Sequence, residues 1–168
     1  MISRLMTKSP RPSETPATRW LRARGVAFTE HLYEYVERGG TRESARQLGV
    51  DERIVVKTLV MQDDEGRPLL VLMHGDREVS TRSLARQLGR RRIDPCKPEV
   101  AQRHSGYLVG GTSPFGTRRE MPVYAERTIF DLPEIFLNGG GRGHLVKIDP
   151  AALRAHLGAI AVECAIDR

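Results

Sequence analysis

Two apolar runs, IVVKTLVMQ at 54–62 and PLLVLMHG at 68–75, are separated by only five residues, DDEGR. Runs this short, rich in Val, Leu and Met and closed by an acidic, glycine-bearing turn, read as two strands of a β-hairpin. Neither strand alternates cleanly between apolar and polar, so both faces of the hairpin need cover. The remaining chain must therefore supply a layer on each side.

At 168 residues the chain is long enough to do so within one domain. Thr15 and Pro16 open a helix through ATRWLRAR that stops at Gly25, and VAFTEHLYEY (26–35) reads as a strand broken by ERGG at 37–40. TRESARQLG (41–49) and TRSLARQLG (81–89) are amphipathic helices whose similarity does not extend into their flanks, which excludes a repeat architecture. A helix around KPEVAQRH, strands at MPVYAE, EIFLN and HLVKI, and a helix AALRAHL between Pro150 and Gly158 complete the series. Strands outnumber helices and are joined mostly by turns. The expected fold is α/β of the α+β type: a single domain with a mixed, largely antiparallel, curved sheet surrounded by helices. The rhythm is not that of a doubly wound nucleotide-binding fold.

Cys96 and Cys164 are too few for a disulfide framework and lack zinc-site spacing, which points to a reducing cytoplasm. No apolar run reaches membrane-spanning length, and residues 1–13 read as a flexible basic leader ahead of a domain at 14–168. Twenty-seven Lys and Arg against 21 Asp and Glu give a net charge of +6, a field that attracts polyanions, nucleic acid first among them. The basic runs RQLGRRR (86–92) and TRR (117–119) flank a glycine-rich stretch, GYLVGGTSPFG, at 106–116.

That stretch fails as a P-loop, because Thr117 and Arg118 stand where Lys and Ser or Thr belong after Gly116. It fails as a hydrolase elbow because Ser113 lies in GTSPFG, one residue too long. Two readings remain: backbone N–H groups forming an anion nest or oxyanion hole, or a tight turn between core strands. Lys57 poses a similar choice. It shares a strand face with Val55, Leu59 and Met61, so it either meets an anionic partner or snorkels from an edge strand. The five histidines show no metal-ligand spacing, and no metal or other cofactor is expected.

Taken in order, TPATRWLRARGVAF, VVKTLV, AQRHSGYLVGGTSPFG and FLNGGGRG resemble the YbaK/EbsC family, relatives of the editing domain of bacterial prolyl-tRNA synthetases. The resemblance covers about residues 15 to 158. It implies a free-standing editing enzyme that hydrolyses the ester of a mischarged tRNA, with Cys-tRNA(Pro) first among substrates and prolyl-tRNA synthetase as a candidate partner; the alternatives are a deacylase for another small amino acid (Ala, Ser or Thr) on tRNA, or a non-catalytic tRNA-binding or regulatory member. Lys57, Gly110 and Gly111 would carry catalysis. Tyr33, Thr58, Ser113, Pro114, Phe115, Gly116, Asn138, Gly139, Gly140 and Arg142 would hold the substrate. For a cysteinyl ester the family is thought to use the substrate's own thiol as nucleophile. The chain departs from the Cys-tRNA(Pro) pattern at Asn138, where serine is usual, at Leu145, where aspartate is usual, and over 37–42, which is shorter and lacks a phenylalanine.

Overall fold

The computed structural model describes residues 14–168; the leader expected over 1–13 lies outside them. Helices α1 (Pro16–Ala23), α2 (Gly40–Leu48), α3 (Thr81–Leu88), α4 (Pro98–Ser105) and α5 (Ala151–Leu157) surround ten strands. The strands are β1 (Thr29–Leu32), β2 (Val56–Asp63), β3 (Pro68–His74), β4 (Arg77–Val79), β5 (Ile93–Pro95), β6 (Val123–Glu126), β7 (Ile135–Gly141), β8 (His144–Ile148), β9 (Ile160–Val162) and β10 (Ala165–Asp167). They form a five-stranded sheet of order β5-β2-β3-β6-β9, a three-stranded sheet β1-β8-β7, and a β10-β4 ribbon. Only β3–β6 and β6–β9 pair in parallel within these sheets.

The β2–β3 hairpin forms as expected, with Val56 opposite His74 and Gln62 opposite Pro68. Every residue of β3 is buried. Its side chains alternate between two cores: Leu70 and Leu72 join Leu21, Phe115, Ile135 and Leu153, whereas Leu69, Val71 and Met73 join Leu84 and Ile93. This is the double cover that the two apolar runs demanded. At 25 cal/mol per Å2, full burial of each such leucine is worth roughly 1.5–3 kcal/mol.

Helix α1 begins with a capping box between Thr15 and Thr18, and the Thr15 hydroxyl also donates to the Gly139 carbonyl, fixing the helix start to β7. The hairpin turn is organised by Asp63. Its carboxylate accepts the Glu65 and Arg67 N–H groups and bonds the guanidinium groups of Arg67 and Arg90.

Several elements differ from expectation. The strand read over 26–35 shortens to Thr29–Leu32, because only these residues pair with β8. Strands β4, β5, β9 and β10 have three residues each, too few to leave a periodic signal, and were not anticipated. The basic run 86–92 is also partly neutralised. Arg90 bonds the buried Asp63 at 3.0 Å and Arg92 bonds Asp94 at 2.7 Å.

His74 is 1% exposed, with Nδ1 at 2.9 Å from the Arg53 carbonyl and Nε2 at 2.7 Å from the Thr128 hydroxyl. Burial holds His74, His104 and His144 below the usual 6.5. The unfolded chain therefore takes up protons near pH 6.5, while the folded chain resists until lower pH. Stability is complete above that value and falls as pH drops through the folded pKa values. Urea midpoints should accordingly be level from pH 8 to 7 and decline below 6.5, with a shallower decline in His74→Gln; a midpoint unchanged down to pH 5 would contradict this account.

Candidate active site

Strand β2 is an interior strand, yet one of its edges is open over part of its length. On that edge Val55 makes an isolated parallel bridge to Phe136 of β7, and pairing with β5 covers only Met61, Gln62 and Asp63. The Cys96 N–H extends that pairing to the Val60 carbonyl at 3.0 Å. Between the bridge and Val60 lies a slot. Beyond Cys96 the chain leaves β2 for α4, which opens at Pro98, on one side, and β7 changes its register against β8 between Asn138 and Gly141 on the other.

A cavity of about 910 Å3 occupies the slot and wraps around the β2 edge, lined by both Lys57 and Thr58. The bridge places Val55 and Phe136 side by side with Leu145 in one apolar cluster, packed against Tyr33. Lys57 follows on the same face of β2, between wall residues of α2 (Thr41, Glu43) and of β4 (Glu78). Its ammonium donates to the Arg77 carbonyl and lies 3.0 Å from Glu78 Oε2. Neither sequence reading of Lys57 is complete: it sits at an open strand edge and already has an anionic partner.

The glycine stretch divides in two. Gly110 and Thr112, with Val109, line the cavity. Asn138 Nδ2 donates to the Gly110 carbonyl at 3.0 Å, while its Oδ1 accepts the Gly140 and Gly141 N–H groups. Arg142 Nε donates to the Val109 carbonyl at 3.0 Å, and its guanidinium lies 5.1 Å from the Tyr35 ring centre. The N–H groups of Gly110 and Thr112 have no acceptor among the described residues.

The second half of the stretch faces inward. Ser113, Pro114 and Phe115 are buried, and Phe115 stacks on Trp20 at 5.6 Å in the main core. Gly116, at φ +65°, approaches α1 so closely that a Cβ there would stand 2.5 Å from the Pro16 carbonyl. Gly111 packs on the backbone of Gly141 and Arg142, Gly139 on His144, and Gly140 on Thr15 and Tyr107. Of the expected site residues, the fold brings Tyr33, Lys57, Thr58, Gly110, Asn138 and Arg142 to the cavity wall. Gly111, Ser113, Pro114, Phe115, Gly116, Gly139 and Gly140 do not line it.

Tyr35, Thr41, Glu43, Glu78 and Cys96 also line the cavity and were not anticipated. Tyr35 had a signal, two residues beyond Tyr33. Glu78 had none, since β4 is a three-residue strand whose position depends on β10. Burial pushes the Tyr33 phenol and the Cys96 thiol up from their usual values, so both favour the protonated form. The Arg46 guanidinium, with Gln47, draws Glu43 down to about 2. No histidine lines the cavity among the described residues.

The basic runs lie elsewhere. Arg67, Arg90 and Arg119 border a second, smaller hollow beside Asp63, six residues or about 20 Å along β2 from Lys57. At the cavity itself the cations are Lys57, Arg38 and Arg142.

Comparison with known proteins gives a consistent picture. A family model described as the aminoacyl-tRNA editing domain matches residues 39–155. A candidate Cys-tRNA(Pro)/Cys-tRNA(Cys) deacylase, EbsC of Enterococcus faecalis, is 26% identical over 149 residues, covering 88% of this chain and 91% of the relative. A proline–tRNA ligase of Levilactobacillus brevis is 29% identical over 93 residues, which are 55% of this chain but only 16% of the ligase. The crystal structure of a candidate trans-editing enzyme for prolyl-tRNA synthetase superposes with a TM-score of 0.78 at 24% identity, over 92% of this chain and 99% of that one.

Asn138 is the joint between the cavity loop and β7. Asn138→Ala should leave the fold intact but speed amide hydrogen exchange at Gly111, Gly140 and Gly141 by about tenfold, corresponding to one lost net hydrogen bond of about 1 kcal/mol or more. Unchanged exchange in that variant would remove Asn138 from this role.

Proposed function

We propose that this chain, which belongs to the aminoacyl-tRNA editing domain family, is a free-standing deacylase that clears mischarged tRNA, with Cys-tRNA(Pro) as its first substrate. The observation that carries the reading is the cavity itself: one space of about 910 Å3 adjoins a lysine, unpaired backbone donors and an apolar wall. It has the size of a ligand pocket and room for a terminal adenosine with its aminoacyl ester.

The chemistry needs little from side chains, since an aminoacyl ester is already activated. What remains is to orient the ester, exclude bulk water and stabilise negative charge on the carbonyl oxygen, where one well-placed donor is worth about 3 kcal/mol. For a cysteinyl ester, the substrate sulfur attacks the carbonyl carbon as the bond to the ribose oxygen breaks. The thiol proton leaves to that oxygen, and water opens the cyclic thioester afterwards. Lys57 holds the ribose-phosphate end with its third ammonium donor, while the Arg77 carbonyl and Glu78 keep the other two. Cys96, its thiol kept protonated by burial, is poorly suited to act as nucleophile. The proline–tRNA ligase relatives support tRNA(Pro) as the carrier, and the Leu145 wall allows other small aminoacyl groups, Ala, Ser or Thr, as secondary substrates. The cytoplasm, where charged tRNA is found, is the corresponding compartment.

Two measurements test the reading. Offered Cys-, Ala-, Ser- and Thr-tRNA(Pro), the purified protein should release cysteine fastest and serine far more slowly; equal rates on Cys and Ser would demand an activated water, and no release from any would end the proposal. Lys57→Ala should keep its circular dichroism spectrum and lose about 10- to 100-fold in kcat/KM, the equivalent of a charged hydrogen bond of about 1.5–3 kcal/mol.

A further inference from the structure

Strand β2 carries a second recognition feature, made of backbone. In a strand, the N–H and C=O groups of alternate residues point to alternate edges. Asp63 donates toward the hairpin partner, to the Arg67 carbonyl at 3.0 Å, whereas Val60 accepts from Cys96 on the opposite side. The even-numbered residues 56, 58 and 60 therefore direct their backbone groups into the slot. Val56 is next to the Phe136 bridge and the Val60 carbonyl is taken by Cys96. Neither the pairing with β3 nor that with β5 uses the N–H and C=O of Thr58, and Thr58, Leu59 and Val60 all line the cavity. The Thr58 hydroxyl oxygen is buried there and unpartnered among the described residues.

Backbone groups left unpaired in the middle of a sheet are costly unless something else satisfies them. A donor and an acceptor on one residue of an open strand edge fit one extended amino-acid residue, which completes a two-bond ring as in an antiparallel pair. An aminoacyl ester offers this complement, an α-ammonium to donate and a carbonyl oxygen to accept. The alternatives for the ammonium are occupied: Glu43 is bound by Arg46 and Gln47, and Glu78 by Lys57. Leu145 makes the facing wall apolar, and Glu37 stands exposed among the outer lining residues.

We propose that the aminoacyl group docks as a one-residue strand on the open edge of β2, its α-ammonium donating to the Thr58 carbonyl and its ester carbonyl oxygen accepting from the Thr58 N–H. That N–H then faces the oxygen on which charge develops, so β2, rather than the glycine loop alone, supplies the oxyanion donor. The inference rests on the deacylase reading and names the part of the cavity that performs it. It requires no particular amino-acid side chain, only an L-aminoacyl backbone in extended form, and so accounts for recognition without a carboxylate at position 145.

The test uses the full chain labelled with 15N and a non-hydrolysable probe, 3′-deoxy-3′-(L-alanylamino)adenosine, alongside hydrolysis of charged tRNA. Probe binding should shift the Thr58 amide resonance and slow its hydrogen exchange at least tenfold. Replacing Thr58 by its α-hydroxy acid analogue, which deletes only this N–H, should weaken probe binding by no more than about tenfold, the worth of one hydrogen bond, and lower kcat about 100-fold, as loss of an oxyanion donor does. Because that N–H lies outside the pairing with β3 and β5, the ester variant should fold as the parent does. Shifts confined to Gly110 and Thr112, or an ester variant with parental kcat, would overturn the inference while leaving the deacylase intact. Failure of the parent to hydrolyse any charged tRNA would instead remove the reading on which it rests.

Discussion

The parallel bridge between Val55 and Phe136 is the contact on which the site depends. It joins the five-stranded sheet to the three-stranded one at a single point and then lets them diverge. Had β7 continued to pair along β2, the strand edge would be sealed and Lys57 would face a packed surface. Instead the pairing with β7 stops at that one bridge, and β5 does not engage β2 until Val60 and Met61. The cavity is the space left by pairing that starts, stops and starts again.

The surroundings of that gap are held by side-chain hydrogen bonds to backbone. Asn138 takes the Gly110 carbonyl with its amide nitrogen and two glycine N–H groups with its oxygen, and Arg142 takes the adjacent carbonyl of Val109. Behind them, Tyr107 donates to the Phe115 carbonyl, and Phe115 is fully buried against α1. The glycines thus serve mainly to let chain approach chain. Close packing of Gly116 on Pro16, and of Gly140 on Thr15 and Tyr107, brings α1, the loop and β7 within contact of one another.

Charge is distributed by the same logic. The most conspicuous basic run in the sequence is spent in part on structure, since Arg90 and Arg67 converge on Asp63, whose carboxylate is kept ionised despite its burial by the hydrogen bonds from Arg67 and Glu65. Cations nearer the cavity come from isolated positions, Arg38, Lys57 and Arg142, that no local pattern marks. A net positive charge draws a polyanion toward the protein, but the residues that meet it need not come from the densest run.

Much of the fold was legible because it follows from local rules. The apolar runs at 54–62 and 68–75 can only be buried strands, and Thr15 with Pro16, or Gly49, Gly89 and Gly158 in left-handed caps, fix helix ends through backbone chemistry that the residue type dictates. The face of β2 that carries Lys57 was legible for the same reason, since a period of two needs no tertiary information. The resemblance of GYLVGGTSPFG and VVKTL to an editing family pointed to the right family of chemistry. What the sequence could not determine was which edge of β2 stays open, that Glu78 would stand opposite Lys57, or that half of the glycine stretch would turn into the core. Those depend on strand pairs more than 80 residues apart, Val55 with Phe136 and Ile166 with Glu78 among them, and on where such pairing stops. Local sequence sets the conformation of each segment, but an unpaired edge is defined by the absence of a neighbour, and only the assembled sheet decides where that neighbour is missing.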